Sequence, residues 1–210
     1  HHDVTKAVAT MKAKGIPTFS LLSDFAQGIR EAYLGTNNMK VGRTAAWMIS
    51  KMSPTPGKVL LFLGGHRFHG HSLRETGFRA FMREYAPNFE VLDALVNLET
   101  RRLTYGLMME TLSRHPDLVG LYCIGGGMEG AIEALIQQNR SETIACLVNE
   151  LTPESRQALL ERQIAGIFQT PLRELCADLV MTMIHTKENG MAESPGQRFL
   201  PAHLLVPESL

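Results

Sequence analysis

The residues best suited to chemistry lie in short glycine-rich segments between apolar runs. The first reads Gly64-Gly65-His66-Arg67-Phe68-His69-Gly70-His71-Ser72-Leu73-Arg74. Arg74 opens the next helical pattern, where its planar guanidinium can offer a fork of donors to two oxygens of a sugar or carboxylate. Phe68 can cover an apolar ring face. A solvated arginine and a packed phenylalanine are the structural alternatives. His66, His69 and His71 raise the question of zinc, but no helical histidine spacing and no flanking carboxylate completes a ligand set, so no metal site is expected.

The second segment, Gly125-Gly126-Gly127-Met128-Glu129-Gly130, satisfies G-x-G-x-x-G after an apolar run. That pattern can cradle a pyrophosphate on backbone N–H groups, and Asn149-Glu150 at the end of the next run places a carboxylate where a ribose could be held. This is the case for an NAD-linked enzyme. Against it, the motif stands mid-chain and no Ser/His/Asp, Cys/His or Lys/Tyr set offers a matching acid or base, so no catalytic residue and no cofactor is assigned. Three glycines also serve simply to turn the backbone sharply. Arg101, Arg102 and Gln169 follow other apolar runs and complete the polar inventory, with Asp24 after the run 18–22.

These residues need a scaffold, and periodicity supplies one. Helical patterns over 3–14, 40–51, 73–85, 102–114, 128–138, 153–162 and 171–187 alternate with apolar runs at 18–22, 32–35, 58–63, 89–95, 119–124, 143–148 and 165–168. Asp3 reads as the first N-cap and Gly15 as a stop, while Thr152-Pro153 and Thr170-Pro171 each place a hydroxyl before a proline at a helix start. Such alternation predicts an α/β fold with doubly wound parallel sheets covered on both faces. Residues 188–198 read as an exposed connector leading to a strand over 199–206. The opening helix is unusual, since a doubly wound domain ordinarily begins with a strand.

Composition narrows the function classes. Among 210 residues the 21 Lys and Arg balance the 21 Asp and Glu, so nothing draws this segment onto nucleic acid or an anionic membrane. No apolar run reaches the roughly 20 residues of a membrane helix. Cys123, Cys146 and Cys176 are odd in number and sit in apolar stretches, which predicts reduced thiols and a cytoplasmic location.

Several stretches together resemble the lactose-repressor (LacI/GalR) family of transcriptional regulators. They are Gly64-Gly65 with Arg74-Glu75-Thr76-Gly77-Phe78, Ile16-Pro17, Asn37-Asn38 with Gly42-Arg43-Thr44-Ala45-Ala46, and Leu200-Pro201-Ala202-His203-Leu204-Leu205. The resemblance implies a type I periplasmic-binding-protein fold whose two lobes hold a sugar-sized ligand. Residues 1–37 and 169–190 would form what remains of the N-terminal lobe, and 38–168 with 199–210 the C-terminal lobe. Crossovers would fall near Asn37, near Gln169 and in the 188–198 connector.

The same resemblance implies roles. Arg74 would grip ligand hydroxyls, Gly70 would stand where a small polar residue touches ligand, Glu150 or Asn149 would bind sugar hydroxyls, and Gln169 would line the cleft. Gly125-Gly126 depart from the family's Asn-Asp. Arg101 stands where an aromatic platform occurs, and with Arg74 it points to an acidic or phosphorylated sugar derivative. Operator DNA would be bound by a headpiece outside this chain, and the whole would act as a homodimer. A periplasmic sugar-binding protein of a transport system is the alternative on the same fold.

Overall fold

The computed structural model describes residues 2–210. Its described residues divide into two compact units, one of residues 2–37 and 170–202, the other of 38–169 and 203–210.

The first unit holds α1 (His2–Ala13), β1 (Phe19–Leu21), β2 (Ala32–Thr36), α7 (Leu172–Asn189) and β9 (Gly196–Leu200). Its three strands are all parallel, in the order β1-β2-β9. Leu34, Leu175 and Leu200 make its small core, with Phe19 and Leu179 against them. Helix α7 leaves Val180, Met181, Met183 and Ile184 exposed.

One buried ion pair stabilises this unit. Arg30 is 2% exposed, and its Nη2 donates to Asp24 Oδ2 at 2.8 Å while Nε donates to Oδ1. Nη1 donates to the carbonyl of Gly196 at 2.8 Å, so the same guanidinium ties the loop between β1 and β2 to the start of β9. Ser20 and Gln27 complete the shell around Asp24.

The second unit holds α2 (Asn38–Met52), β3 (Lys58–Leu63), α3 (His69–Tyr85), β4 (Glu90–Val91), β5 (Leu95–Val96), α4 (Arg101–Arg114), β6 (Leu118–Cys123), α5 (Met128–Gln137), β7 (Ala145–Asn149), α6 (Pro153–Leu160), β8 (Gly166–Gln169), β10 (His203–Leu205) and the 3-10 turn Pro207–Ser209. The sheet runs β10-β8-β7-β6-β3-β4, with β5 also on β3, and every pairing is parallel except β10 with β8. The apolar runs are continuous because both faces are covered. In Lys58–Leu63 every residue after the first is buried.

Two glycines set the approach of α2 to α3. A Cβ on Gly42 would lie 1.9 Å from the carbonyl oxygen of Arg74, and one on Gly77 would lie 2.2 Å from that of Met39. Backbone thus meets backbone on both sides. This close crossing fixes the height at which Arg74 leaves α3.

Several expectations are corrected. Asp3 lies inside α1 rather than capping it, since the helix already includes His2. Thr152 does cap α6, accepting from Ser155 N at 3.1 Å while Ser155 Oγ accepts from Thr152 N at 2.8 Å. Helix α7 instead starts at Leu172 with Pro171 in the cap position. The expected strand over 89–95 is two short ones, and where the ladder breaks Arg79 donates to the carbonyls of Val91 (3.2 Å) and Leu92 (2.8 Å). The 188–198 connector and the strand over 199–206 are redrawn most. Residues 196–200 pair with β2 as an edge strand, so 199–202 lie in the first unit, and Pro201, which lacks a ladder donor, separates β9 from β10.

Removing one partner of the Arg30–Asp24 pair strands a buried charge. Arg30→Ala should therefore destabilise the first unit by about 3–5 kcal/mol in chemical denaturation. Burial alone would raise the Asp24 carboxyl, but hydrogen bonds from Arg30, Ser20 and Gln27 and the charge of Arg30 outweigh it and hold the carboxyl below its ordinary value. A depressed folded-state value stabilises above the unfolded one. This contribution should be complete above about pH 4 and lost as pH falls through the folded value. An Asp24→Asn variant that keeps the wild-type acid dependence contradicts the assignment.

Candidate functional site

All but one of the strands of the second unit are parallel, so their carboxyl ends share one edge of the sheet, where ligands of open α/β sheets bind. The loops leaving β3, β5, β6, β7 and β8 carry Gly64–Phe68, Asn97–Thr100, Ile124–Gly127, Glu150 and Gln169 to that edge.

Arg74 is central. It sits in the second turn of α3, which begins at His69 and not at Leu73. Its Nε donates to Asn38 Oδ1 at 2.7 Å and its Nη1 to the carbonyl of Ile124 at 2.8 Å. Nη2 has no hydrogen-bond acceptor among the described residues. The side chain therefore braces the loop after β6 and leaves one charged nitrogen uncommitted.

Asn149 is 2% exposed and serves the same loop from the other side. Its amide nitrogen donates to the carbonyl of Ile124 at 2.7 Å and to the hydroxyl of Tyr122 at 3.0 Å. A buried amide so engaged is a positioning group, which leaves Glu150 as the candidate for ligand contact at this strand end. Glu150 has a left-handed backbone, φ 68°, and its N–H donates to the Phe168 carbonyl at 2.9 Å. Gln169 ends β8 opposite His203.

Two residues not among the expected ligand contacts, Glu99 and His71, occupy the middle of this edge. Glu99 follows Leu98 in a rare pair of left-handed non-glycine residues, φ 51° and 58°. Asn97, 1% exposed, imposes the turn: its Oδ1 accepts from Glu99 N at 2.9 Å while its Nδ2 donates to Thr104 Oγ1 and to the Gly126 carbonyl, both at 2.9 Å. The Glu99 carboxylate then accepts from Gly126 N at 3.2 Å. His71 Nδ1 accepts from Gly64 N at 3.2 Å, and its Nε2 lies 3.8 Å from Glu99 Oε1. Burial and the nearby charge of Arg74 push the imidazole below its ordinary value against the pull of Glu99, which favours the neutral ring. With Nδ1 accepting, the ring proton resides on Nε2.

The glycines take their meaning from these neighbours. A Cβ on Gly125 would lie 2.3 Å from His71 Cε1 and 2.7 Å from Glu99 Oε1, and one on Gly64 2.4 Å from Glu99 Cγ. Gly127 is left-handed, φ 83°, at the start of α5, and a Cβ on Gly130 would lie 2.1 Å from the Arg101 carbonyl of α4. Packing and turning account for the G-x-G-x-x-G spacing. The N–H of Gly126, which the dinucleotide reading needs for phosphate, already donates to a carboxylate.

Other candidates lie elsewhere or act indirectly. Arg101 is paired with Glu133 at 2.9 Å on the exposed side of α4 and α5. Gly70 is buried, and a Cβ there would press on Asn38 at 3.2 Å. Phe68 tilts against His71 with ring centroids 5.0 Å apart. Asp24 belongs to the first unit and spends its carboxylate on Arg30, Ser20 and Gln27. Among the described residues no group of three or more His, Cys, Asp or Glu side chains could hold a metal, and no helix is long and apolar enough to cross a membrane. Cys123, Cys146 and Cys176 are free. Burial pushes the Cys146 thiol up to about 12 and raises that of Cys123, which disfavours the nucleophilic thiolate at both.

Replacing Asn149 by Ala should cost about 1–3 kcal/mol, because the buried Tyr122 hydroxyl loses its partner. Urea unfolding checks this, and an unchanged midpoint contradicts the bracing role.

Comparison with known proteins agrees with this architecture. The periplasmic binding protein domain model matches residues 1–188. No curated protein sequence matches. Among solved structures, the chain is similar to a sugar ABC transporter sugar-binding protein from Bacillus halodurans, with TM-score 0.88 and 17% identity over 98% of this chain and 74% of that one. A glucose-galactose binding protein from Geobacillus stearothermophilus gives TM-score 0.88 at 19% identity, over 98% and 73% of the two chains. An ABC transporter solute-binding protein from Burkholderia graminis, in complex with D-arabinose, gives 0.89 at 19%, over 98% and 72%. The expected type I periplasmic-binding-protein fold is thus the observed one, and the chain belongs to the periplasmic binding protein domain family.

Proposed function

We propose that this chain binds a neutral sugar and belongs to a solute-binding protein of a sugar-uptake system. The observation that carries the reading is the polar cluster on the strand-end edge of the second unit. There Arg74 keeps Nη2 uncommitted, and His71 and the Glu99 carboxylate lie against the glycines 64, 125 and 126. Polyols are recognised by such convergent charged and neutral donors and acceptors, and Glu150 and Gln169 extend the set along the same edge. The similar solved structures of sugar-binding proteins support the same reading.

The acidic or phosphorylated ligand suggested by Arg74 with Arg101 loses its basis. Arg101 is neutralised by Glu133, two of the three nitrogens of Arg74 are committed, and Glu99 adds a negative charge.

A second reading keeps the effector domain of a lactose-repressor-type regulator, in which sugar binding shifts a conformational equilibrium reported to operator DNA by a headpiece, within a homodimer. The free state of Cys123, Cys146 and Cys176 favours it, since reducing compartments maintain thiols. The coding sequence upstream of His1 separates the readings: an export signal supports uptake and a helix-turn-helix supports regulation.

Calorimetric titration with D-glucose, D-galactose, L-arabinose, D-arabinose and D-tagatose should give saturable binding for at least one sugar. Arg74→Ala should weaken that binding by about 1.5–3 kcal/mol, the scale of a lost charge-assisted hydrogen bond. Saturable NAD binding with no response to any sugar would falsify the proposal.

A further inference from the structure

We infer that His71 and Glu99 form a bidirectional clamp on a single hydroxyl of the ligand, the imidazole donating to that oxygen and the carboxylate accepting its proton. This rests on the sugar-binding reading and adds the group that this part of the site selects.

The geometry has three parts. First, both polarities are fixed before ligand arrives: the Gly64 N–H occupies Nδ1, leaving Nε2–H as the donor, and an ionised carboxylate is acceptor only. Second, the 3.8 Å between Nε2 and Oε1 is too long for a direct hydrogen bond, yet an oxygen about 2.8 Å from each fits between them. Third, the surroundings are built to keep this opening. Asn97 holds Glu99 in its left-handed turn, and Gly64 and Gly125 lack the Cβ atoms that would displace the two side chains.

Only a group that accepts and donates at once satisfies both partners. A phosphate or carboxylate oxygen meets the Glu99 charge, and an ammonium cannot accept from Nε2–H. A hydroxyl does both, and most carbons of a sugar ring carry one. The glycines at 125 and 126, which depart from the Asn-Asp of the resembled family, therefore do not leave the edge without recognition. His71 and Glu99 supply it from α3 and from the loop after β5.

The test uses the sugar that binds most tightly among D-glucose, D-galactose, L-arabinose, D-arabinose and D-tagatose, together with its monodeoxy derivatives, each titrated by calorimetry. One deoxy position should lose about 100-fold or more in affinity, because a site built around a hydroxyl leaves its own polar groups unpaired without it. Glu99→Gln should weaken the parent sugar about tenfold, on the scale of one charged hydrogen bond. It should leave that one deoxy derivative unaffected. His71→Asn provides the same coupling from the other side should the first variant fold poorly. Equal weakening of the parent and all deoxy forms marks a purely structural role and overturns the inference, as does unchanged affinity in both variants. If none of the sugars binds, the sugar-binding reading falls and the clamp with it.

Discussion

The carbonyl oxygen of Ile124 accepts from Arg74 Nη1 and from Asn149 Nδ2, and this pair of bonds organises the strand-end edge that carries the proposed site. A backbone carbonyl at the end of a central strand has no further ladder partner and must be satisfied by other groups. Here one donor comes from α3 and the other from the end of β7, so the loop after β6 is held from both sides. Asn38, at the first residue of α2, accepts the next nitrogen of Arg74, and the glycine-to-backbone crossing of α2 with α3 fixes the distance. The guanidinium is thus rigid before any ligand arrives, which lowers the entropic cost of binding.

Around this brace, volume is exchanged between neighbours. Side chains at 64 and 125 would collide with Glu99 and His71, so the glycines and the two polar groups form one packing solution. The strain of the Leu98–Glu99 turn is offset by the buried amide of Asn97, which spends its oxygen and nitrogen on that turn and on the glycine loop. Strain of this kind persists only where surrounding structure over-determines it, and it clusters at binding sites. The same arrangement counts against the phosphate-cradling reading of the loop, since the Gly126 N–H already donates to a carboxylate.

Much of this was legible in the residues. Continuous apolar runs such as 58–63 and 119–124 marked buried parallel strands; periodicity put Glu150 and Gln169 at strand ends and Arg74 near a helix start, and the family resemblance supplied their expected roles. The edge strand 196–200 was not legible, because Gly-Gln-Arg-Phe-Leu is almost wholly exposed and its order comes from pairing with β2 and from Arg30. Glu99 was missed because its placement depends on Asn97 and on glycines more than thirty positions away in one direction and more than twenty in the other. His71 was weighed only as a metal ligand. Arg101 and Asp24 were overestimated because residue type does not reveal that Glu133 and Arg30 already neutralise them.

The most direct test of the central claim is nuclear magnetic resonance, following backbone amides while a sugar that binds is titrated in. If the strand-end edge of the second unit holds the ligand, the amides of Gly64, Glu99, Gly125 and Gly126 shift together in a saturable way, with the His71 ring nitrogen following them. Shifts confined to other surfaces, such as the groove of Arg101, Glu133 and Gln157 beside α5 and α6, with this edge unmoved, contradict the account.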